Sequence, residues 1–152
     1  MRPGPWGKCI LVTISVVVVL CLIGIRPVVV QGTSMEPTLR DLQILLMVPA
    51  GEPEPGEIYV FRSPSDGVLI KRLIAVPGDT LQITDGSVIR NGSPEQTAAD
   101  GVEYAGIAAE EILLSADQFF FLSDNDSVGI DSRYETVGII RRQDIIGRVV
   151  LP

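Results

Sequence analysis

Histidine is absent from this 152-residue chain, and cysteine occurs only at Cys9 and Cys21, both inside one apolar run near the N-terminus. Ser-His-Asp and Cys-His catalysis therefore have no base, and zinc sites built from His and Cys have no ligands outside that run. No metal and no cofactor is expected. On a single helix the two cysteines would stand about 18 Å apart, at 1.5 Å per residue, too far to bridge. Lysine is almost as scarce: of twelve basic residues ten are arginine, leaving only Lys8 and Lys71. Past residue 26 the chain carries 9 basic against 19 acidic side chains, within a net charge of −7. Binding to phosphate backbones needs clustered Lys and Arg, so no nucleic-acid partner is expected.

What the chain does have at its start is an uncharged stretch, residues 9–25. As a helix it spans roughly 25 Å, against a hydrocarbon core of about 30 Å, and it reads as a transmembrane helix. Residues 28–30 continue the apolar character past Arg26 and Pro27 and are assigned to the membrane interface. A cleaved signal peptide shares the charged start and apolar body, but no small-x-small site follows this run. Arg2 and Lys8, set against the acidic remainder, put the N-terminus in the cytoplasm. The expected layout is a cytoplasmic tail over 1–8, a single transmembrane helix over 9–25 in the plasma membrane, and an extracytoplasmic domain over 26–152. The lipid bilayer is then a partner.

Short apolar runs broken by turn signals make that domain mainly β. Strands are expected over 42–48, 57–62 and 68–76, with a loop over 49–56 and turns over 63–67 and 77–79. Asp85-Gly86 between 81–83 and 88–89 is a two-residue hairpin signal. Residues 91–106 are small and polar and are expected to be a surface excursion with little structure of its own. Strands resume over 112–114 and 119–122, a polar loop covers 123–133, and 139–140 and 145–151 close the domain.

Two segments carry chemistry. Gly32-Thr33-Ser34-Met35-Glu36-Pro37-Thr38-Leu39 puts a serine between small residues on a stretch stiffened by proline, so Ser34 is expected on a turn. A serine becomes a nucleophile only with a base in reach. Lys71 shares one face of its strand with Leu69, Leu73 and Ala75, while Arg72 takes the other. If the lysine face is covered, desolvation lowers its pKa and makes it a usable general base. Taken singly, Ser34 also reads as a turn serine and Lys71 as a solvent-facing strand residue.

Taken together, Ser34-Met35-Glu36-Pro37-Thr38-Leu39 and Lys71-Arg72-Leu73-Ile74-Ala75-Val76-Pro77-Gly78-Asp79, behind an apolar helix, resemble the type I signal peptidases. Gly56-Glu57-Ile58-Tyr59-Val60-Phe61 is similar to the strand between those motifs, and Asp124-Asn125 with Asp131-Ser132-Arg133 to the last one. The resemblance implies an antiparallel β scaffold and a Ser-Lys dyad that removes signal peptides from exported precursor proteins at small-x-small sites. Carried over, Ser34 is the nucleophile, Lys71 the base, and the Ser34 backbone N–H an oxyanion donor. Gly32, Thr33 and Met35 become substrate-binding candidates, and Asp131 with Arg133 a structural brace.

The chain also departs from the family pattern. Gly32 stands where some members have a serine, leaving backbone donors or Thr33 at the oxyanion. Gly129 stands where the family usually has a serine bonded to the lysine, Ser123 where it has glycine, and Asp126 where it has arginine. Ser132, Ser127 or a water is left to orient Lys71. Two alternatives stay open: a narrow conjugative-transfer peptidase that processes a pilin, and a non-catalytic, membrane-anchored β domain that binds peptides.

Overall fold

The computed structural model describes residues 5–96 and 101–150. The first half of the expected tail, residues 97–100 of the expected excursion and the end of the last strand at Leu151 lie outside the described residues. The chain opens with helix α1, Pro5–Leu22. Proline is tolerated in a first turn, where its missing N–H has no intrahelical partner to lose. Thr13 and Ser15 return their hydroxyls to the carbonyls of Cys9 and Leu11 at 3.0 and 2.9 Å, so both are satisfied within the helix. The helix stops before Gly24, whose φ of +84° is the left-handed conformation that favours glycine after a helix end. Ile10, Leu11, Val12, Ile14 and Leu22 are all exposed. Among the described residues no helix is long and apolar enough to cross a membrane.

Seven strands form the main sheet: β1 (Arg26–Val29), β2 (Ile44–Val48), β3 (Ile58–Ser63), β4 (Gly67–Ala75), β9 (Gln118–Leu122), β10 (Ile140–Arg141) and β11 (Ile145–Val150). Their order is β1-β2-β11-β3-β4-β9-β10, antiparallel throughout. Residues 28–30 enter or adjoin the edge strand β1, which pairs with β2 from Arg26↔Met47 to Val29↔Ile44. Strand β3 is covered on both faces. Ile58 and Val60 pack with Met35, Leu39 and Met47, whereas Tyr59 and Phe61 pack with Leu73 and Phe121 on the other side. Phe61 and Phe121 stack with ring centroids 4.5 Å apart.

A second sheet, ordered β7-β6-β5-β8, holds β5 (Thr80–Thr84), β6 (Ser87–Arg90), β7 (Ser93–Pro94) and β8 (Ile112–Leu113). Its Leu81, Ile83 and Val88 pack against Ile74, Phe120 and Leu122 of the main sheet. Asp85 and Gly86 have φ of +49° and +74°, as a two-residue hairpin turn requires. Residues 91–96 and 101–106 are more ordered than expected. Asn91 and Gly92 also take positive φ and turn the chain into β7, and Val102 is buried in the core between the sheets. Composition concealed this because one buried valine in a polar stretch carries no periodicity.

Candidate active site

Ser34 lies on a turn that the surrounding chain holds closed. Gly32, at φ +85°, gives its N–H to Asp41 Oδ1 at 2.7 Å, and Val30 exchanges backbone bonds with Leu42 and Gln43 at 2.9 Å. Met35 and Leu39 point into the core, fully buried, so the residue after the serine is pinned from inside. From the side, Asn125 donates its backbone N–H to Ser34 O at 2.9 Å and its Nδ2 to Thr33 O at 3.2 Å. Of the candidates for substrate contact, Met35 both fills the core and lines the cleft, Thr33 is exposed, and the Gly32 N–H is engaged by Asp41.

Lys71 stands opposite Tyr59 in the β3–β4 ladder and is 3% exposed. Its Nζ donates to Ser34 Oγ at 2.7 Å. Burial pushes the amine down to about 8; Asp131 and Asp124 pull it part of the way back, and Arg133 pushes with burial. Leu73, expected on the lysine side, is fully buried with Tyr59 and Phe121, but a bulge between Leu73 and Ala75 moves Ala75 to the opposite cluster with Ile74 and Phe120, so the expected face shared by Lys71 and Ala75 is not formed. Arg72 points the other way, giving Nε and Nη2 to the two carboxylate oxygens of Asp124 at 2.8 and 2.5 Å. Neighbouring cations on one strand thus have opposite circumstances, because alternate side chains leave opposite faces.

Beside the amine lies a buried ion pair. Arg133, 1% exposed, gives Nε and Nη2 to Asp131 Oδ1 and Oδ2, both at 2.8 Å, and also bonds Asp126 and the Tyr104 carbonyl. Burial alone would lower the guanidinium pKa, but the bonds to Asp131 and Asp126 outweigh it and hold Arg133 charged. Asp126, where the resemblance led one to look for arginine, is therefore tied into this pair. Ser132 accepts the Phe121 N–H at 3.1 Å, and the exposed Ser127 donates to Asn125 Oδ1 at 2.8 Å. Among the described residues the hydrogen bond of Lys71 is to Ser34, and these two serines are engaged elsewhere.

A cleft of about 240 Å³ opens onto the pair, lined by residues 28–31 on one side and 68–71 on the other. Both walls are strand edges. β1 ends the sheet order, and β9 pairs with β4 only from Arg72 onward. The profile of the family described as signal peptidase, peptidase S26, matches residues 4–152. The chain belongs to that family. A signal peptidase I of Leptolyngbya laminosa is 35% identical across 91% of this chain and 75% of its own length. A probable signal peptidase I-2 of Synechocystis is 32% identical across 88% and 67%. A signal peptidase I of Bacillus licheniformis is 28% identical across 93% and 83%. The solved structure of a signal peptidase I from Enterococcus faecalis superposes with a TM-score of 0.52 at 24% identity, over 66% of this chain and 99% of that one, a likeness of fold.

As a signal peptidase family member the chain is a hydrolase of the serine endopeptidase class. Sequence reasoning had marked the motif around Asp124-Asn125 without assigning its parts. The structure uses Asn125 to hold the Ser34 turn and Asp124 to neutralise Arg72. The adjacency of two motif residues was the available signal; the partners, 52 residues away for Arg72 and Asp124, were not.

Proposed function

We propose that this peptidase removes signal peptides from exported precursor proteins through a Ser34–Lys71 dyad. The 2.7 Å contact between Lys71 Nζ and Ser34 Oγ, made by a buried amine, carries the reading. Once the amine is neutral, it takes the Ser34 hydroxyl proton as Oγ attacks the scissile carbonyl carbon. The Ser34 N–H supports the developing oxyanion. Collapse expels the leaving amine, which receives the proton from Nζ, and leaves an acyl-serine. A water, deprotonated by Lys71, then attacks the ester carbonyl; Ser34 regains its proton and the acid product leaves.

The open strand edges on both sides of the cleft suit a substrate in extended form, with residues 28–31 and 68–71 offering main-chain partners and shallow apolar pockets. Small side chains before the cut fit a cleft of this size. The uncharged run 9–25 and the exposed apolar side chains of α1 support attachment to the plasma membrane, with 1–8 inside and 26–152 outside. That layout sets the serine a few residues beyond the outer surface, where exported chains emerge.

The test is cleavage of a precursor with an Ala-x-Ala site by purified protein in detergent, next to Ser34→Ala and Lys71→Arg. Both variants are expected to be inactive, and equal cleavage by either would falsify the dyad. A parent protein that cuts a pilin precursor but not the general one narrows the substrate; one that cuts neither is a peptide-binding domain. Carbonate extraction of membranes that leaves the full chain soluble would refute the attachment.

A further inference from the structure

Just past β9 sits a polar group with nothing to bond. Ser123 is 4% exposed, and its Oγ is, among the described residues, the one buried side-chain nitrogen or oxygen without a hydrogen-bond partner. Leaving such a group unmatched costs on the order of 1–3 kcal/mol, so its presence calls for a cause. The backbone N–H of Ser123 gives to Asp131 Oδ2 at 2.9 Å, which fixes the main chain and leaves the hydroxyl uncommitted. The hydroxyl also has a defined seat. A Cβ added at residue 129 would fall 2.1 Å from Ser123 Oγ and 2.2 Å from its Cβ, so positions 123 and 129 cannot both carry side chains as the backbone stands. Gly129 is what admits the hydroxyl.

The strand register brings this group to the lysine. β9 pairs with β4 at Arg72↔Leu122 and Leu73↔Phe121. β9 ends at Leu122, beside Arg72, and the next residues on the two strands are Ser123 and Lys71, so the chain past β9 leaves the sheet next to the lysine. The charges that act on Lys71, namely Asp131, Arg133 and Asp124, all belong to the loop that starts at Ser123. Each of them already has a partner: Asp131 and Arg133 hold each other, and Asp124 holds Arg72. Lys71 keeps only Ser34. An amine tied by one bond can swing about it, whereas a second hydroxyl sets the direction of its lone pair.

We propose that the Ser123 hydroxyl is a positioning group for Lys71, bonding Nζ directly or through one water during proton exchange with Ser34, from the space that Gly129 leaves open. The proposal rests on the dyad reading. Ser123 touches no reacting atom of the substrate and exchanges no proton of its own; it acts through the lysine.

The experiment follows cleavage of an Ala-x-Ala precursor by the full chain in detergent, across pH. Ser123→Ala is expected to lower kcat by about tenfold or more, the usual scale of a misaimed catalytic group, with KM nearly unchanged. The acidic limb of kcat/KM should move to lower pH, because the lost hydroxyl favoured the charged amine. Gly129→Ser alone should be at least as damaging, through its clash. The exchange variant S123G/G129S, which brings the hydroxyl in from the facing position, should recover most of the loss. A Ser123→Ala protein with the parent's kcat and acidic limb overturns the proposal. So does a rate loss that comes with a lower Tm and an unmoved limb, since that is packing alone. Ser34→Ala and Lys71→Arg run alongside keep the two readings apart. If they cleave like the parent, the dyad itself fails; if they are inactive and Ser123→Ala is silent, only the role of Ser123 falls.

Discussion

Two charged clusters flank strand β4, and they differ in burial and in pairing. At the small sheet, Arg90 reaches Glu95 at 2.6 Å and Asp79 at 3.3 Å, while Asp79 also accepts from the Val76 N–H and Asn91. Burial would raise the Asp79 pKa, but these bonds outweigh it and hold the carboxylate low. At the cleft, Lys71 is more enclosed, 3% exposed against 28% and 13% for the Arg90 and Asp79 side chains. It forms no ion pair among the described residues, and its amine moves towards neutrality. A perturbed pKa therefore accompanies a paired carboxylate in one place and an unpaired, buried amine in the other. What separates them is the depth of burial and whether a carboxylate bonds the cation directly.

The largest expected effect removes that contrast. Lys71→Arg fixes a permanent charge beside Ser34, and cleavage should fall by about a thousandfold or more, read as kcat/KM. Next comes the buried pair behind the lysine. Arg133→Met leaves Asp131 buried without its partner and should cost about 3–5 kcal/mol, measured by chemical denaturation. A smaller change of opposite sign is expected for Lys71→Met. A folded-state pKa near 8, against 10.5 for an ordinary lysine, means that the charged form destabilises the fold by about 3 kcal/mol below pH 8. The unfolded chain binds the extra proton between those two values, so parental stability rises with pH across that window. Lys71→Met should thus gain up to this amount in unfolding free energy at pH 7 and progressively less towards pH 10. The same titration should give the parent an acidic limb in kcat/KM near pH 8. The smallest effect belongs to the paired cluster. Arg90→Ala, at a partly exposed site, should cost about 1 kcal/mol or less and leave cleavage untouched.

Much of the scaffold was readable along the chain. The strands around residues 58–63, 67–75 and 118–122 follow from apolar runs between turn signals, and the Asp85-Gly86 hairpin from the residues that tolerate positive φ. The edge strand β1 was hidden, because Arg26 and Pro27 break an apolar pattern that only pairing with β2 completes. Likewise 91–106 shows no period, and the order of its described residues comes from Asn91-Gly92, from Val102 in the core, and from Tyr104, whose carbonyl meets Arg133. Among the site residues, Lys71 stood out as the one lysine past the apolar run, and Ser34 through the resemblance of its Ser-Met-Glu-Pro-Thr-Leu segment to the signal peptidases. Ser132 and Ser127 looked equivalent as helpers in the sequence, yet one is bonded to the Phe121 N–H and the other to Asn125.

By itself, then, the sequence left Lys71 as the one lysine past the apolar run in a chain without histidine. It also determined the alternation that separates Lys71 from Arg72. Only the tertiary structure decided that Lys71 is buried, that its amine meets a hydroxyl 37 residues away, and that the empty place at Gly129 is filled from Ser123. The physical reason is that desolvation and hydrogen-bond partners act through space. They depend on which distant segments close around a group, and no local pattern encodes that.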